Sequence, residues 1–401
     1  MSKSYAIKNI NIKKVNLYLA HLVVFLLPFE QRLIPWALVL FAATNVLVHP
    51  FHERVHYYKK RKFYIWLFSA FYLAHAIGVL YSDDLSNGFF DLEIKLSLLL
   101  VPWVVLTSNV INKFTLPELL RTFLYATVLA AAVSFIYAGI SYFKSGEVES
   151  FYYVYLSYYR HAGYFSIYVN FAIAILIIFI FHNREKVQIH NYLMLAFLII
   201  TVYQLSARMG IIVLGFLMAY AFSYLIFPKI RYKNPLIALS LVLLFTLGFI
   251  VVSIKYVDRF KGVTENVMNE ESSSGSRPLL WKYSWELFQE KPFFGYGTGD
   301  VSQAMNDKWE KENFDYAEER HLNAHNQFVQ SGVALGLLGL LPLIGMLVIP
   351  LFKVNIHSNF LFPLFVFIIT MSCLTEAIFE RQDGVVFYAI FNAFLYFTYS
   401  D

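Results

Sequence analysis

The chain has 401 residues, of which 58% are hydrophobic, 19% are aromatic and only 15% are charged. About a quarter of the residues of an ordinary soluble domain are charged, so this composition excludes that class. The formal net charge of +5 is too modest to indicate a nucleic-acid surface. The single cysteine, Cys373, excludes an intrachain disulfide.

The apolar residues form continuous runs of the length that a helix needs to cross a bilayer, about 17–25 residues. Only helices and closed barrels satisfy their backbone groups in lipid, and continuous runs predict helices. The sequence therefore predicts an all-α, polytopic membrane protein with about twelve transmembrane helices. The expected spans are 15–29, 33–49, 63–80, 92–107, 117–143, 162–182, 190–205, 208–227, 235–254, 326–350, 357–374 and 383–399. The first is expected to be retained, because it lacks the small-residue cleavage site of a signal peptide.

The distribution of basic residues orients these spans, because cytoplasmic connections are enriched in Lys and Arg. One set of alternate connections carries Lys3, Lys8, Lys13, Lys14, Arg54, Lys59, Lys60, Arg61, Lys62, Lys113, Arg184, Lys186, Lys229, Arg231, Lys233 and Lys353. The opposite set carries only Arg32, Lys144, Arg160, Arg208 and Arg381. Both termini are therefore predicted to be cytoplasmic. The loops at 81–91, 144–161, 206–208, 255–325 and 375–382 are predicted to lie on the outer side.

The chain is expected to form a single integrated domain in three stretches. Residues 1–254 hold the first nine helices, residues 255–325 form the large outer loop, and residues 326–401 hold the last three helices. In the loop, Arg277-Pro278 begins an apolar and aromatic pattern that predicts an amphipathic helix ending at Lys291-Pro292.

The rest of the large loop is predicted to hold a turn and a second helix. The charged stretch 307–320 predicts a second, solvated helix. The Gly-rich segment 295–300 resembles a nucleotide-binding loop, but it follows no βαβ strand and carries no Lys-Ser/Thr. A turn between the two helices accounts for it better.

His325 is the strongest candidate for chemistry. It ends the polar loop, directly before an apolar helix that carries Gly332, Gly336 and Gly339. A histidine can accept a proton at neutral pH, although a lone histidine is more often structural. The three glycines allow close approach of a helix or of a lipid chain. His321 lies four residues earlier, but no third ligand completes a metal site, so no metal or other cofactor is expected.

Two arginines are candidates for binding an anion. Arg208 lies between two spans on the side depleted of positive charge, where it either binds phosphate oxygens or ends a helix as a snorkelling side chain. Arg277 opens the first loop helix, and a helix N-terminus beside a guanidinium favours an anion. A solvated loop arginine is an equally good account of Arg277.

Further candidates for substrate binding lie in two other outer loops. Glu376, Glu380, Arg381 and Asp383 cluster in the last of these loops. Glu376 there either pairs with Arg381 or orients a catalytic histidine or an acceptor hydroxyl. Arg160 and His161 end an aromatic segment that an interfacial belt explains and that also suits stacking on sugar rings.

Four motifs together resemble the O-antigen ligase and O-antigen polymerase superfamily of bacterial inner membranes. They are Ser206-Ala207-Arg208-Met209-Gly210, the stretch from Gly275-Ser276-Arg277 to Gly295-Tyr296-Gly297, Ala324-His325-Asn326-Gln327 with the helix after it, and Thr375-Glu376 through Glu380-Arg381 to Gly384. The number of spans and the large outer loop also fit. The specific motifs cover residues 200–385.

The resemblance implies a GT-C-type, metal-independent glycosyltransferase of lipopolysaccharide biosynthesis that acts at the periplasmic face. Its donor would be a glycan on undecaprenyl diphosphate, and the family's essential arginines and histidine would correspond to Arg208, Arg277 and His325. The expected activity is that of an O-antigen ligase, which transfers the glycan with inversion to a lipid A-core sugar. The alternatives are a polymerase that joins lipid-linked repeat units, a protein O-oligosaccharyltransferase and, in a different class, a polysaccharide or lipid transporter.

Overall fold

The computed structural model describes residues 2–29, 31–181, 188–226, 246–248, 276–354 and 359–398, and this part of the chain is helical and contains no β-strand. Its helices are α1 (Ser2–Leu26), α2 (Ile34–Val48), α3 (Phe51–Val79), α4 (Leu85–Lys95), α5 (Ser97–Leu106), α6 (Thr115–Ser145), α7 (Tyr153–Leu156), α8 (Ala162–Phe181), α9 (Ile189–Leu205), α10 (Arg208–Ile226), α11 (Ser276–Glu290), α12 (Val301–Lys311), α13 (Asp315–Glu318), α14 (Gln327–Val348), α15 (Leu361–Cys373) and α16 (Gln382–Thr398). The predicted all-α class is confirmed for the described residues.

The hydropathy of these helices is that of a polytopic membrane protein. Among the described residues, five helical segments are long and apolar enough to cross a bilayer: Gln31–Val48, Phe51–Val79, Thr115–Ser145, Ala162–Phe181 and Gln327–Phe352. Shorter apolar helices at Ile189–Leu205, Arg208–Ser223 and Leu361–Cys373 coincide with three further predicted spans. The predicted span at 235–254 lies outside the described residues except for 246–248. The number twelve therefore stays a prediction.

The predicted span at 92–107 is interrupted. α4 begins already at Leu85, where the Asp84 side chain caps it, and the helix breaks at Leu96 before α5 begins. The preceding residue, Lys95, is completely buried. The structure thus divides the predicted span between α4 and α5 at Leu96, whose own backbone dihedrals are helical. Hydropathy also did not indicate that the ammonium of Lys95 lies inside the protein.

Three helices lie within the described part of the large loop. The predicted amphipathic helix is confirmed as α11, which ends at Glu290, directly before Lys291-Pro292. The second helix, predicted at 307–320, is corrected: it is α12, at Val301–Lys311, followed by the short α13. Val301, Met305 and Trp309 recur every four residues and form a buried face, so α12 is amphipathic rather than solvated on all sides.

The first half of α14 ends at a break that the segment Pro292–Gly297 fills. Gly336 has a φ of +59°, outside the helical region. Before the break, the carbonyls of Val333 and Ala334 accept hydrogen bonds from the N–H groups of residues 296 and 297 at 3.0 and 2.9 Å. After the break, the N–H groups of residues 337 and 338 donate to the carbonyls of Pro292 and Phe293 at 2.8 and 3.2 Å. The break thus leaves these backbone groups satisfied, as an apolar surrounding requires.

Glycine is required on both sides of this contact. A Cβ at Gly336 would lie 2.5–2.7 Å from backbone atoms of Pro292 and Phe293. Gly295 has a φ of +66°, and a Cβ there would lie 2.5 Å from backbone atoms of residues 334 and 335. Gly332 packs against the ring of Phe288 in α11. Of the two predicted roles for the glycines of α14, close approach of protein elements is therefore the one seen at Gly332 and Gly336.

Polar contacts between connections fall into two groups. One group joins Asp83 and Asp84 to Asp300, Lys95 to Glu380, and Arg160 to Asp383 and the carbonyl of Leu27. The other group joins Arg54 to Asn45, Asn45 to Ser108, and Arg61 to the carbonyls of Leu106 and Ser108. Each group joins one of the two sets of alternate connections to residues near the adjoining helix ends, which is consistent with spans that alternate in direction.

The α14 break predicts an unequal response to two glycine substitutions. Gly336→Ala should lower the thermal unfolding midpoint of the detergent-solubilised protein, because its methyl group must displace backbone and the new residue would be held at a positive φ, a cost of about 1–3 kcal/mol. Gly139→Ala is the matched control, since Gly139 lies inside α6 with open space around its Cβ position. Equal midpoints for the two variants, measured by tryptophan fluorescence, would contradict the role given to Gly336.

Candidate active site

Three consecutive residues, His325, Asn326 and Gln327, join the loop helices to α14. The Asn326 side chain accepts hydrogen bonds from the N–H groups of residues 328 and 329 and thereby caps α14. Its amide nitrogen donates to the carbonyl of Leu374 at 3.2 Å. The Gln327 side chain is completely buried and accepts from the N–H of Phe379 at 2.6 Å. The start of α14 is therefore fixed to the segment between α15 and α16.

His325 faces Glu376 across this junction. Its Nδ1 lies 3.0 Å from Oε1 of Glu376. The His325 backbone has a φ of +44°, and its N–H donates to the side chain of Asn323 at 2.9 Å. Left-handed backbone is uncommon outside glycine, and it recurs at sites where the surrounding structure holds it for function. The geometry therefore places an imidazole in a defined position beside a carboxylate.

Arg277 contacts the same carboxylate from the first turn of α11. Its NH2 lies 3.8 Å from Oε2 of Glu376, and both side chains are 30% exposed. The Nε of Arg277 is buried and has no hydrogen-bond partner among the described residues. Glu376 thus bridges His325 and Arg277, and the guanidinium keeps donor groups for a further anion.

The charges around Glu376 favour its ionised form. Burial of the carboxyl acts to raise its pKa, but the hydrogen bond and charge of His325 and the charges of Arg277 and His161 outweigh burial and lower the pKa of Glu376 below its ordinary value. At neutral pH Glu376 is therefore a carboxylate, which can only accept hydrogen bonds. Nδ1 of His325 must then carry the proton in this contact, which leaves Nε2 as the basic atom of the ring.

Arg208 begins α10 after a sharp reversal of the chain. Ser206 has a φ of +49° and ends α9, so the two helices form the predicted hairpin. The first turn of α10 packs on α8, where the Asn170 side chain donates to the carbonyl of Gly210 at 3.1 Å. Arg208 is partly exposed at the end of this pair of helices.

The start of α8 brings Arg208 and the Glu376 segment to the same end of the bundle. His161 is exposed directly before α8 and lies near enough to Glu376 to lower the pKa of that carboxyl. Gly210 packs on Ser166, about one helical turn along α8 from its first residue. His161 thus lies near Glu376 directly before α8, and Ser166 in α8 packs on the start of α10.

Arg160 lies in the interior. Its guanidinium pairs with the buried carboxylate of Asp383 and donates to the carbonyl of Leu27 at 2.6 Å. Tyr168 donates its hydroxyl proton to the carbonyl of the same Asp383 at 2.9 Å. These contacts fix the start of α16 to α8 and to the end of α1, and substrate contact by Arg160 stays a prediction.

Glu380 belongs to a second, more internal group. Its Oε2 lies 3.2 Å from the ammonium of Lys95, which also pairs with Asp91. Its Oε1 accepts a hydrogen bond from Gln327 at 3.2 Å. Burial acts to raise the pKa of Glu380, but the charge of Lys95 and the other favourable contacts outweigh it and lower the pKa. The contacts of Glu376 are with His325 and Arg277 rather than with Arg381, the alternative partner considered from the sequence. Substrate binding by Glu380 stays a prediction.

Sequence reasoning missed Lys95 and Gln327. Lys95 could have been found, because a charged residue inside an apolar run generally has a partner or a function. Gln327 gives no such signal. Its hydrogen bonds to Phe379 and Glu380 depend on the packing of α14 against a segment about fifty positions away. Asp83 and Asp84 form a turn whose N–H groups donate to Asp300 at 2.8 Å.

Comparison with known families identifies the central part of this chain. Residues 193–344 match the family model described as O-antigen ligase (Wzy_C). A search of curated proteins finds no match to the chain. The matched region runs from α9 into α14 and includes Arg208, Arg277 and His325, whereas Glu376 lies beyond it. This match confirms the resemblance to the O-antigen ligase and polymerase superfamily that the motifs predicted, and it does so over residues 193–344.

Proposed function

We propose that this protein is an O-antigen ligase-like glycosyltransferase that moves a glycan from undecaprenyl diphosphate to a sugar of the lipid A core. Its family comprises membrane glycosyltransferase-like enzymes of lipopolysaccharide assembly. The observation that carries the proposal is the Glu376 bridge between His325 and Arg277. The bridge places a base that can deprotonate the acceptor hydroxyl beside a cation that can bind the diphosphate. The proposed transfer needs both groups.

His325 acts as the general base in the proposed reaction. The acceptor hydroxyl gives its proton to Nε2 of His325 as its oxygen forms the bond to the anomeric carbon. The bond between that carbon and the diphosphate oxygen breaks with its electron pair remaining on the diphosphate. Glu376 holds the ring through Nδ1 and stabilises the imidazolium that forms, as the carboxylate of a catalytic triad does. Attack opposite the leaving group inverts the anomeric configuration.

The arginines stabilise the leaving diphosphate. Arg277 lies beside the base and keeps N–H donors, and Arg208 is proposed to contact the same anion from the start of α10. Guanidinium groups bind phosphate oxygens in pairs and carry a permanent charge, so they can take the role that a divalent cation has in other transferases. The negative charge that develops on the leaving group is then met by donors already in place.

The proposed setting is the inner membrane of a bacterium, with both termini in the cytoplasm and the site open to the periplasm. The excess of basic residues in the connections predicted to be cytoplasmic supports this orientation. The expected architecture is GT-C-type with about twelve transmembrane helices. The donor's lipid tail would lie in the bilayer, while its diphosphate reaches the end of the helices where Arg277 and His325 lie.

Removing the base or its carboxylate should abolish most of the activity. His325→Ala and Glu376→Gln should each lower the transfer rate by about 10²–10⁴-fold, the first by removing the base and the second by allowing the wrong tautomer of His325. The measurement is transfer of radiolabelled glycan by the purified, reconstituted protein. Glu319→Gln, at an exposed loop position, is the control that should keep full activity. Full activity of His325→Ala would end this assignment.

Arg277→Lys should separate charge from geometry. Lysine keeps the positive charge but cannot present paired N–H groups to a diphosphate, so kcat/KM for the lipid-linked donor should fall by about 10²-fold. Arg320→Lys is the matched control, because Arg320 is exposed beside Glu319 and should tolerate the change. Retention of kcat/KM in Arg277→Lys would show that the paired geometry is not used.

Glycolipid analysis of a deletion strain distinguishes the ligase from its alternatives. A ligase predicts a bare lipid A core together with accumulated long lipid-linked chains. A core capped by a single repeat unit would instead identify a polymerase, and unchanged lipopolysaccharide with unglycosylated proteins would identify a protein-directed transferase. Precursor retained on the cytoplasmic side would identify a transporter and overturn the assignment as an enzyme.

A further inference from the structure

A cleft of about 820 Å³ lies at the far end of α11 from Arg277. Its walls are the start of α4, the end of α11, Tyr296 and one face of α12. This volume lies within the roughly 300–1,000 Å³ range of sites that bind small molecules. None of the predicted catalytic residues lines it, so it is separate from the candidate active site.

The amphipathic character of α12 gives the cleft its polar wall. Asp300, directly before α12, and Gln303, Asp307 and Lys311 on α12 line the cleft, while the opposite face of α12 is buried. Asp300 accepts hydrogen bonds from the N–H groups of residues 83 and 84, whereas Gln303, Asp307 and Lys311 are exposed. The helix therefore presents these three exposed side chains to a ligand in the cleft.

The chemistry of the lining fits a hydroxyl-rich ligand. Five carboxylates and three ammonium groups line the cleft, and the amide of Gln303 donates to Asp307 at 2.6 Å. The Tyr296 ring, with the ammonium of Lys291 4.2 Å from its centroid, and the side chain of Leu287 add apolar surface. Sugar hydroxyls both donate and accept, so they can use groups of both kinds, whereas a phosphate would be repelled by the carboxylates.

Helix α11 sets the distance from this cleft to the reaction site. Arg277 is in its first turn and Glu290 at its last residue lines the cleft, so the two are about 20 Å apart at 1.5 Å per residue. The sugar that leaves the diphosphate cannot reach that far. Sugars several units further along the same glycan can.

We propose that this cleft binds distal sugars of the donor glycan while its first sugar lies at His325 and Arg277. This inference rests on the proposed transfer from a lipid-linked glycan. It makes the cleft a subsite that selects donors by length: a glycan of several repeat units fills both places, and a single short unit fills only the reaction site.

The test compares two donors in two double variants. The donors are the lipid-linked glycan with one repeat unit and the same glycan with several units, both extracted from the native host. The cleft variant is Gln303→Ala with Lys311→Ala, and the matched control is Ser302→Ala with Glu310→Ala, exposed on the same helix but outside the cleft. Alanine is favourable in a helix, so both variants should fold.

The cleft variant should raise KM for the long donor about tenfold and leave KM for the short donor and both kcat values unchanged. The control variant should match the wild type with both donors. An equal rise for the two donors, or no rise at all, would overturn the distal subsite while leaving the transferase assignment intact.

A binding measurement keeps the two proposals separable. Saturation-transfer NMR with the free glycan, released from its lipid, should detect binding to the wild type and the control variant and not to the cleft variant. If the wild type transferred neither donor, the proposed function would be wrong. The NMR measurement would still test whether the cleft binds the free glycan. Free-glycan binding that persists in the cleft variant would show that the cleft is not a carbohydrate site.

Discussion

The break in α14 is the constraint on which the candidate site depends. In an apolar surrounding, backbone groups freed at Gly336 must find partners, and Pro292–Gly297 supplies them on both sides of the break. That contact fixes the end of α11. Four residues earlier on each element, Phe288 packs on Gly332, so α11 lies along the first half of α14 and runs in the same direction. Its first turn then arrives where α14 begins, which brings Arg277 to the carboxylate that holds His325.

Glu376 contacts both of the side chains that this packing brings together, His325 and Arg277. A carboxylate between an imidazole and a guanidinium is stabilised by both, so it stays ionised and can set the tautomer of the histidine. The arrangement draws on separate parts of the chain: His325 precedes α14, Arg277 opens α11, and Glu376 follows α15. Their meeting therefore depends on tertiary packing, and a shift of α11 along α14 would separate the cation from the base without unfolding either helix.

Sequence alone accounted for the elements that have a strong periodic or compositional signal. The apolar runs, the loop helix at α11 and the junction at His325 were predictable, because each rests on local patterns. The break at Gly336 was not, because a glycine in an apolar helix has the same local pattern whether a lipid, a helix or a loop packs on it. The contacts of Lys95 with Glu380 and of Glu376 with Arg277 likewise join residues more than fifty positions apart, which no local pattern contains. Orientation of a histidine by Glu376 was one of two alternatives that the sequence offered.

The internal group around Lys95 also has an electrostatic consequence for the site. Glu376 and Glu380 are four positions apart, and two free carboxylates there would repel an incoming diphosphate. Lys95 offsets part of the charge of Glu380, because Asp91 shares the same ammonium, and Gln327 donates a hydrogen bond to Glu380. Glu376 contacts His325 and Arg277 instead. In the proposed reaction, the buried lysine would therefore reduce the repulsion between Glu380 and a phosphate near Arg277.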